Sequence, residues 1–396
     1  MTSLRGTASD PLQPQALSSA RGTVLPTYAR ADVTIVRGEG CRVWDDTGRE
    51  YLDFVAGIAV VGLGHCAPAP LAAAHAQLDR LWHASNLYWT EPMLRLAGLL
   101  AERFEGGQAF FCNSGAEANE AALKIARKAT GRTRIVALEG GFHGRTLGAL
   151  SATGQPAKWE GFGPLVPGVS FACPNDVESL EAALAPAGDT ALLLLEPVLG
   201  EGGVIPLEPA FAQAAAELAL EIGALLCVDE VQAGMGRTGT FFAYEQLGIR
   251  PDLVTLAKGL ANGLPIGALL AGARAAPGFV PGDHGSTFGG NPVAAAAAVA
   301  VVEAIDDELL AGVLERGAEL AGGLRALPAV RAVRGRGLLV GAELDRPAGP
   351  VVDACRDHGL LVLSAGPSVL RLTPPLVVSA DEVGQALETI ESVLAS

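Results

Sequence analysis

The sequence predicts an α/β protein: a large domain on a mostly parallel mixed sheet, with a smaller α+β domain beside it. Two observations lead there. Between Phe110 and Gly272, short apolar runs of strand length alternate with helical patterns, as strand–helix crossovers in a parallel sheet require. Outside that stretch both ends change character, with hairpin-like material near the start and strands interleaved with helices after Asn291. A chain of 396 residues with 49% hydrophobic side chains can bury a large core, and its length suits two or three domains.

Taken in order, residues 1–22 are polar, Pro-containing and aperiodic, without the apolar stretch of a signal peptide; a disordered tail is expected. Residues 23–65 form an N-terminal segment expected to pack with the small domain. Its Asp32–Phe54 stretch reads as paired strands, turned by Asp45-Asp46-Thr47-Gly48. Residues 66–295 are assigned to the large domain. Gln108–Cys112 reads as a strand and Ala116–Ala129 as a helix closed by Gly131. Arg134–Leu138, Ala191–Leu195, Ala224–Val228, Leu253–Ala257 and Gly267–Ala271 read as buried strands, and Pro209–Ile222 as a helix. Residues 296–396, with the strands of VRGRGLLVGAEL and LRLTPPLVV, make the small domain.

Composition removes several function classes. The formal net charge of −15 and the lack of a basic run exclude a nucleic-acid footprint. The apolar run Ala191–Leu195 is far too short to span a bilayer. Six scattered cysteines form no CxxC pair, which points to a reducing compartment without disulfides or zinc, and the histidines show no ligand spacing. No metal is expected, and the expected location is the cytoplasm.

Three segments carry chemistry. In FCNSGAEANEAALKIAR (Phe111–Arg127) a strand ends in Asn-Ser-Gly-Ala and a helix starts at once. Free N–H groups there, with Gly115 permitting close approach, make an anion cradle. The plainer reading, Ser114 as N-cap with Glu117 completing a capping box, stays open. In ALLCVDEVQAGMG a buried strand delivers Asp229 and Glu230 at its carboxyl end, where α/β sheets place ligands. LVTLAKGLANGL delivers Lys258 the same way, one crossover further on. Singly, such an Asp is often a helix cap and such a Lys is usually solvated. Together they suit pyridoxal phosphate, which needs a lysine for its aldehyde, an acid for its ring nitrogen and a phosphate cradle.

With GFHGRTLGAL, LLEPVLGEGG, TLAKGLANGLPIG, HGSTFGGNP and LRLTPPLVV added, the chain resembles the class III (ornithine-type) aminotransferases of fold type I from about Asp32 onward. Within them it is most similar to the acetylornithine group. The resemblance implies that Lys258 binds the cofactor covalently, that Asp229 pairs with the ring nitrogen, and that Gln232 bonds the phenolic oxygen. It implies that Ser114, Gly115 and Ala116 bind the phosphate, that Phe142 stacks on the ring, and that Glu230 and Val231 join the cofactor contacts. Thr287 would reach the phosphate of a neighbouring subunit in a homodimer. Arg145 and Ser286 would bind the donor, Arg145 through its α-carboxylate. Arg371 would bind the α-carboxylate of glutamate or 2-oxoglutarate, masked by Glu201 when the other substrate enters. For either arginine a purely structural ion pair is the plainer alternative.

The implied reaction is ping-pong transfer of the terminal amino group of N2-acetyl-L-ornithine to 2-oxoglutarate, as in arginine biosynthesis. Free-ornithine enzymes usually carry a Tyr where this chain has Ile58, and an apolar residue there suits an acylated, neutral nitrogen. Alternatives are a transaminase for aminoadipate semialdehyde/lysine on an acidic carrier protein, succinyl-diaminopimelate as a substrate, and a non-catalytic cofactor-binding regulator. The last would be expected to lose Lys258 or Asp229, and both are present.

Overall fold

The computed structural model describes residues 21–396. Most of the tail expected at residues 1–22 therefore lies outside the described residues. In chain order the strands are β1 (Ile35–Glu39), β2 (Arg42–Asp45), β3 (Glu50–Asp53), β4 (Gln108–Cys112), β5 (Arg134–Leu138), β6 (Val169–Ala172) and β7 (Thr190–Leu195). A two-residue hairpin pair, β8 (Val198–Leu199) and β9 (Ile205–Pro206), precedes β10 (Leu225–Asp229), β11 (Leu253–Leu256) and β12 (Gly267–Ala271). The last third holds β13 (Val330–Arg336), β14 (Leu339–Leu344), β15 (Leu360–Leu361), β16 (Leu363–Ser364) and β17 (Val369–Leu372).

Seven strands form the central sheet in the order β4-β12-β11-β10-β7-β5-β6. From β11 to β6 every neighbouring pair is parallel, while β12 runs antiparallel to both β11 and β4. The sheet is thus mixed and mostly parallel. Because β12 reverses twice, β4 points the same way as β11. The carboxyl ends of β4, β11, β10, β7 and β5 consequently share one edge. Strands buried on both faces read as unbroken apolar runs, and β7 has Leu192, Leu193, Leu194 and Leu195 essentially without solvent contact. Each such leucine contributes roughly 1.5–3 kcal/mol relative to exposure, which makes the sheet a stiff platform for the side chains at its strand ends.

The helix α1 (Gly115–Thr130) follows β4 directly. Its C-cap Gly131 sits at φ +68 and returns its N–H to Arg127 O at 2.9 Å, a left-handed ending that favours glycine. The helix α2 (Pro209–Glu221) packs on β10, and α3 (Pro292–Ala304) buries eight residues. Those of α3, and Ile305 after it, belong largely to the core of the central sheet. The boundary expected at 295/296 therefore falls inside a helix that stays with the large domain. An Ala/Val pattern apolar on nearly every side demands such full burial, whichever domain the helix opens.

A second core joins the two ends of the chain. Cys41, Leu52 and Phe54 pack with Val313, Leu320, Leu370 and Ile390. Strand β15 adds to β1-β2-β3 by pairing parallel with β3, and β13-β14-β17-β16 forms a four-stranded antiparallel sheet. At the β2–β3 turn, Asp45 Oδ1 accepts from Thr47 N and Arg49 N, each at 2.9 Å, with Gly48 at φ +85.

Candidate active site

The common carboxyl edge gathers side chains from five strand ends. Ser114 follows β4, Phe142 and His143 follow β5, Glu196 follows β7, Asp229 closes β10 and Lys258 follows β11. They line or border a cavity of about 400 Å³ whose walls include Ser114, Gly115, Ala116, Phe142, Arg145, Glu196, Asp229, Val231, Gln232 and Lys258. Strands β10 and β11 are direct parallel neighbours, with Asp229 opposite Thr255.

Asp229 is held from several sides. Its Oδ2 accepts from Asn119 Nδ2 at 2.7 Å and lies 2.8 Å from His143 Nδ1, while Oδ1 accepts from Val231 N at 3.0 Å. Thr255 Oγ1 in turn donates to Asn119 Oδ1 at 2.8 Å. All four side chains are buried. A carboxylate fixed by this many donors keeps one orientation. Burial pushes the His143 imidazole pKa down, but the hydrogen bond and charge of Asp229, with Glu196 nearby, outweigh it and leave it raised. His143 Nε2 is buried with no partner among the described residues. Glu196 Oε1 accepts from Phe142 N at 2.8 Å, and burial drives its carboxyl up to about 7 against the pull of His143. The sequence pattern did not single out Asn119, His143 or Glu196. A polar Asn amid the alanines on the buried face of α1 was the available signal.

Lys258 sits half-buried at φ +44, a conformation that costs an L-residue about 1–2 kcal/mol and that its short 3-10 turn imposes. Burial pulls its ammonium pKa down, opposed by Glu201. The turn Ala56–Ala59, which contacts the Lys258 turn, is left-handed throughout, with Ile58 at φ +66. Ile58 is partly exposed, and the neighbouring Val60 lines the cavity instead.

At the start of α1, Ser114 Oγ accepts from Glu117 N at 3.2 Å, so the capping interaction is present. The Glu117 carboxylate reaches back to Asn113 N rather than to Ser114, so the box is incomplete. The first-turn N–H groups of Gly115 and Ala116 have no acceptor within the helix. A Cβ on Gly115 would lie 2.7 Å from Val231 Cγ1, so only glycine lets the helix approach the end of β10 so closely.

The rim carries charge. Arg371 on β17 donates from Nη1 to Glu201 Oε1 at 2.6 Å, to Gly200 O at 3.1 Å and to Gln232 Oε1 at 3.2 Å. Burial alone would raise the Glu201 pKa, but the Arg371 guanidinium brings it below its usual range. Arg371 is 3% exposed and its Nε has no partner among the described residues. Arg145 is exposed, with its guanidinium 5.7 Å from the Phe142 ring centroid.

Five expected residues do not line this cavity: Glu201 and Arg371, joined to it through Gln232, and Glu230, Thr287 and Ser286. Glu230 turns away, because successive strand side chains face opposite sides of a sheet. Its carboxylate accepts from Ala243 N at 2.9 Å and Tyr244 N at 2.8 Å, and burial raises its pKa to about 8. Thr287 is exposed, and Ser286 Oγ engages Asn113 Nδ2 and Gly289 N. No group of three or more metal-ligating side chains occurs among the described residues.

The model of the family described as aminotransferase class-III matches residues 26–394. The chain belongs to the class III aminotransferases. The family depends on pyridoxal phosphate. Among similar relatives, the acetylornithine aminotransferase of Thermosynechococcus vestitus is 50% identical over 94% of this chain and 95% of its own. That of Corynebacterium efficiens is 48% identical over 96% of each. Among solved structures, the ornithine aminotransferase of Toxoplasma gondii superposes with a TM-score of 0.91 at 35% identity, covering 96% of this chain and 94% of that one. The N-acetylornithine aminotransferase of Stenotrophomonas maltophilia gives 0.83 at 40% identity, covering 96% and 98%. The cavity fits the family cofactor. It offers the Lys258 amine, the rigidly held buried carboxylate of Asp229, and a helix start kept close by a glycine that a Cβ would block.

Proposed function

We propose that this class III enzyme moves the terminal amino group of N2-acetyl-L-ornithine to 2-oxoglutarate, giving N-acetylglutamate 5-semialdehyde and glutamate, as a cytoplasmic homodimer. The observation that carries a two-substrate reading is the Glu201–Arg371 pair at 2.6 Å on the rim of the Lys258 cavity. Relatives named acetylornithine aminotransferase at about half identity support the donor.

Bound pyridoxal phosphate supplies an aldehyde to carry the amino group and a ring that accepts electrons. Lys258 would hold it, and the Lys258 Nζ would serve as the base for the proton on the carbon bearing the transferred amine. A lowered ammonium pKa favours that role, because more of the amine is neutral near pH 7. Asp229, kept in place by Asn119 and His143, holds the proton on the ring nitrogen. Ser114, Gly115 and Ala116 at the helix start would hold the phosphate, Phe142 and Val231 would flank the ring, and Gln232 would serve its phenolic oxygen; all six line the cavity. Arg145 takes the donor's α-carboxylate. Arg371 takes that of glutamate or 2-oxoglutarate once Glu201 releases it, using the bidentate geometry that a guanidinium offers a carboxylate.

The dimer reading draws on the surface. Trp82, Leu87, Tyr88, Trp89 and Phe288 are exposed. Asn86 Nδ2 binds Ser286 O and Gly289 O, which joins the two segments bearing those side chains around exposed Thr287. An apolar patch of this kind marks an interaction face, and it would deliver Thr287 to a partner's phosphate site. No helix among the described residues is long and apolar enough to cross a membrane.

The direct test compares N2-acetylornithine, free ornithine and carrier-bound lysine as donors to 2-oxoglutarate. Acetylornithine should give the highest kcat/KM. Faster turnover of the carrier-bound lysine would shift the assignment to lysine synthesis.

A further inference from the structure

We propose that Lys158 is a substrate-binding residue that shares the donor's carboxylate with Arg145, an inference that rests on the donor assignment above. Lys158 closes a short turn, Pro156–Lys158, outside the segments that carry the family resemblance. That turn is pinned on both sides of the lysine. Gln155 Nε2 donates to Gly140 O and Trp159 Nε1 to Thr153 O, each at 2.9 Å. The first bond ties the turn to the strand exit that delivers Phe142. Lys158 Nζ thereby lies 5.5 Å from the Phe142 ring centroid, and Arg145 Cζ lies 5.7 Å from the same centroid.

Neither cation has a hydrogen-bond acceptor or ion-pair partner among the described residues, although the chain has 43 acidic against 28 basic side chains. With acids in such excess, two neighbouring cations without a carboxylate are a feature to be explained. Contact with the ring offers each about 0.5–1 kcal/mol, less than a buried carboxylate would. The acid acting on Lys158 is Glu201, and Arg371 already engages it at 2.6 Å. Lys158, Arg145 and Arg371 therefore face the rim against one carboxylate. The Lys158 ammonium pKa records the same crowding: burial lowers it first, Arg145 lowers it further, and Glu201 only partly opposes them. An incoming carboxylate relieves this repulsion. Both cations stand within reach of the Phe142 ring, a wall of the cavity, and the proposed carboxylate meets both there. Lys, a point charge on a flexible stem, complements the fixed fork of Arg145.

The test is a cycle of two removals. Lys158→Met keeps the apolar stem and deletes the charge. N-acetyl-1,4-diaminobutane keeps the donor's reacting amine and acyl group but lacks its carboxylate. For N2-acetylornithine, K158M should lower kcat/KM about tenfold, mainly through KM, which is about 1.4 kcal/mol. For the decarboxylated amine it should change kcat/KM less than twofold, and Lys158→Arg should restore most of the loss. The cofactor's visible absorbance and the thermal midpoint should match the wild type; if K158M folds poorly, Lys158→Gln takes its place. Equal losses with both donors, or no loss with either, would overturn the role of Lys158 alone. A wild type inert toward N2-acetylornithine would overturn the donor assignment, and the role of Lys158 with it.

Discussion

The floor of the cavity and its rim are built on opposite principles. On the floor, Asp229 is gripped by Asn119 on α1 and by His143 and the Val231 amide in the segments that follow β5 and β10. On the rim, Glu201 comes from the loop between β8 and β9 of the large domain, and Arg371 from β17 in the second core. Floor groups have one arrangement because every alternative strands a buried polar atom. Rim groups have two under the proposed function, in which a substrate carboxylate replaces Glu201 on Arg371, whose Nε lacks a partner among the described residues. The lesson is a division of labour: the fixed part serves the chemistry common to both half-reactions, and the exchangeable part chooses between substrates.

That division is sharpened most by the floor. Lys258→Ala should abolish turnover while the protein stays folded, and reduction with borohydride in the wild type should fix the cofactor on Lys258. Mass mapping checks this, and attachment elsewhere would break the floor assignment. Asp229→Asn should keep the cofactor bound yet lower kcat on the order of a hundredfold or more, equally in both half-reactions, because a neutral amide cannot hold the ring's proton. Steady-state rates with absorbance as a binding control read it out. On the rim the effects should be smaller and unequal. Glu201→Ala should unmask Arg371, lowering KM for glutamate a few-fold and weakening discrimination between donors.

The smallest expected effect concerns pH. Glu196 binds its proton more tightly in the folded state, with a pKa of about 7 against an ordinary value of 4.5. The folded form then carries more protons than the unfolded one in that window, so stability falls as pH rises from about 4.5 to about 7. His143, also raised, acts in the same direction above its own usual value of 6.5. Glu196→Gln should flatten the Tm-versus-pH curve over the lower window. An unchanged curve would show that this carboxyl does not set the pH dependence.

How much of this could be read in the sequence depended on what each residue touches. Strands β4, β5 and β12 match their sequence ranges residue for residue; β5 and β12 are buried almost throughout and leave apolar runs, and β4 is buried at the end that leads into the site. Lys258, Asp229 and the start of α1 were legible because apolar strands deliver polar residues abruptly. β6, half-buried as VSFA, was not legible, nor was the β8–β9 hairpin. His143 and Glu196 act only through contacts made across the sheet edge, so local pattern gave no reason to pick them, whereas Asn119 left one signal, a polar residue amid the buried alanines of α1. Glu230 was misjudged for the converse reason: adjacency to Asp229 in sequence puts it on the opposite face.

Whether one cavity serves two substrates through separate arginines decides the mechanism. The decisive measurement follows the cofactor's absorbance by stopped flow, one substrate at a time, in Arg371→Ala and Arg145→Ala. Arg371→Ala should lower kcat/KM for the glutamate half-reaction about a hundredfold while N2-acetylornithine loses less than tenfold, and Arg145→Ala should show the reverse. Equal losses in both half-reactions for both variants would contradict the division between them and make the two arginines structural.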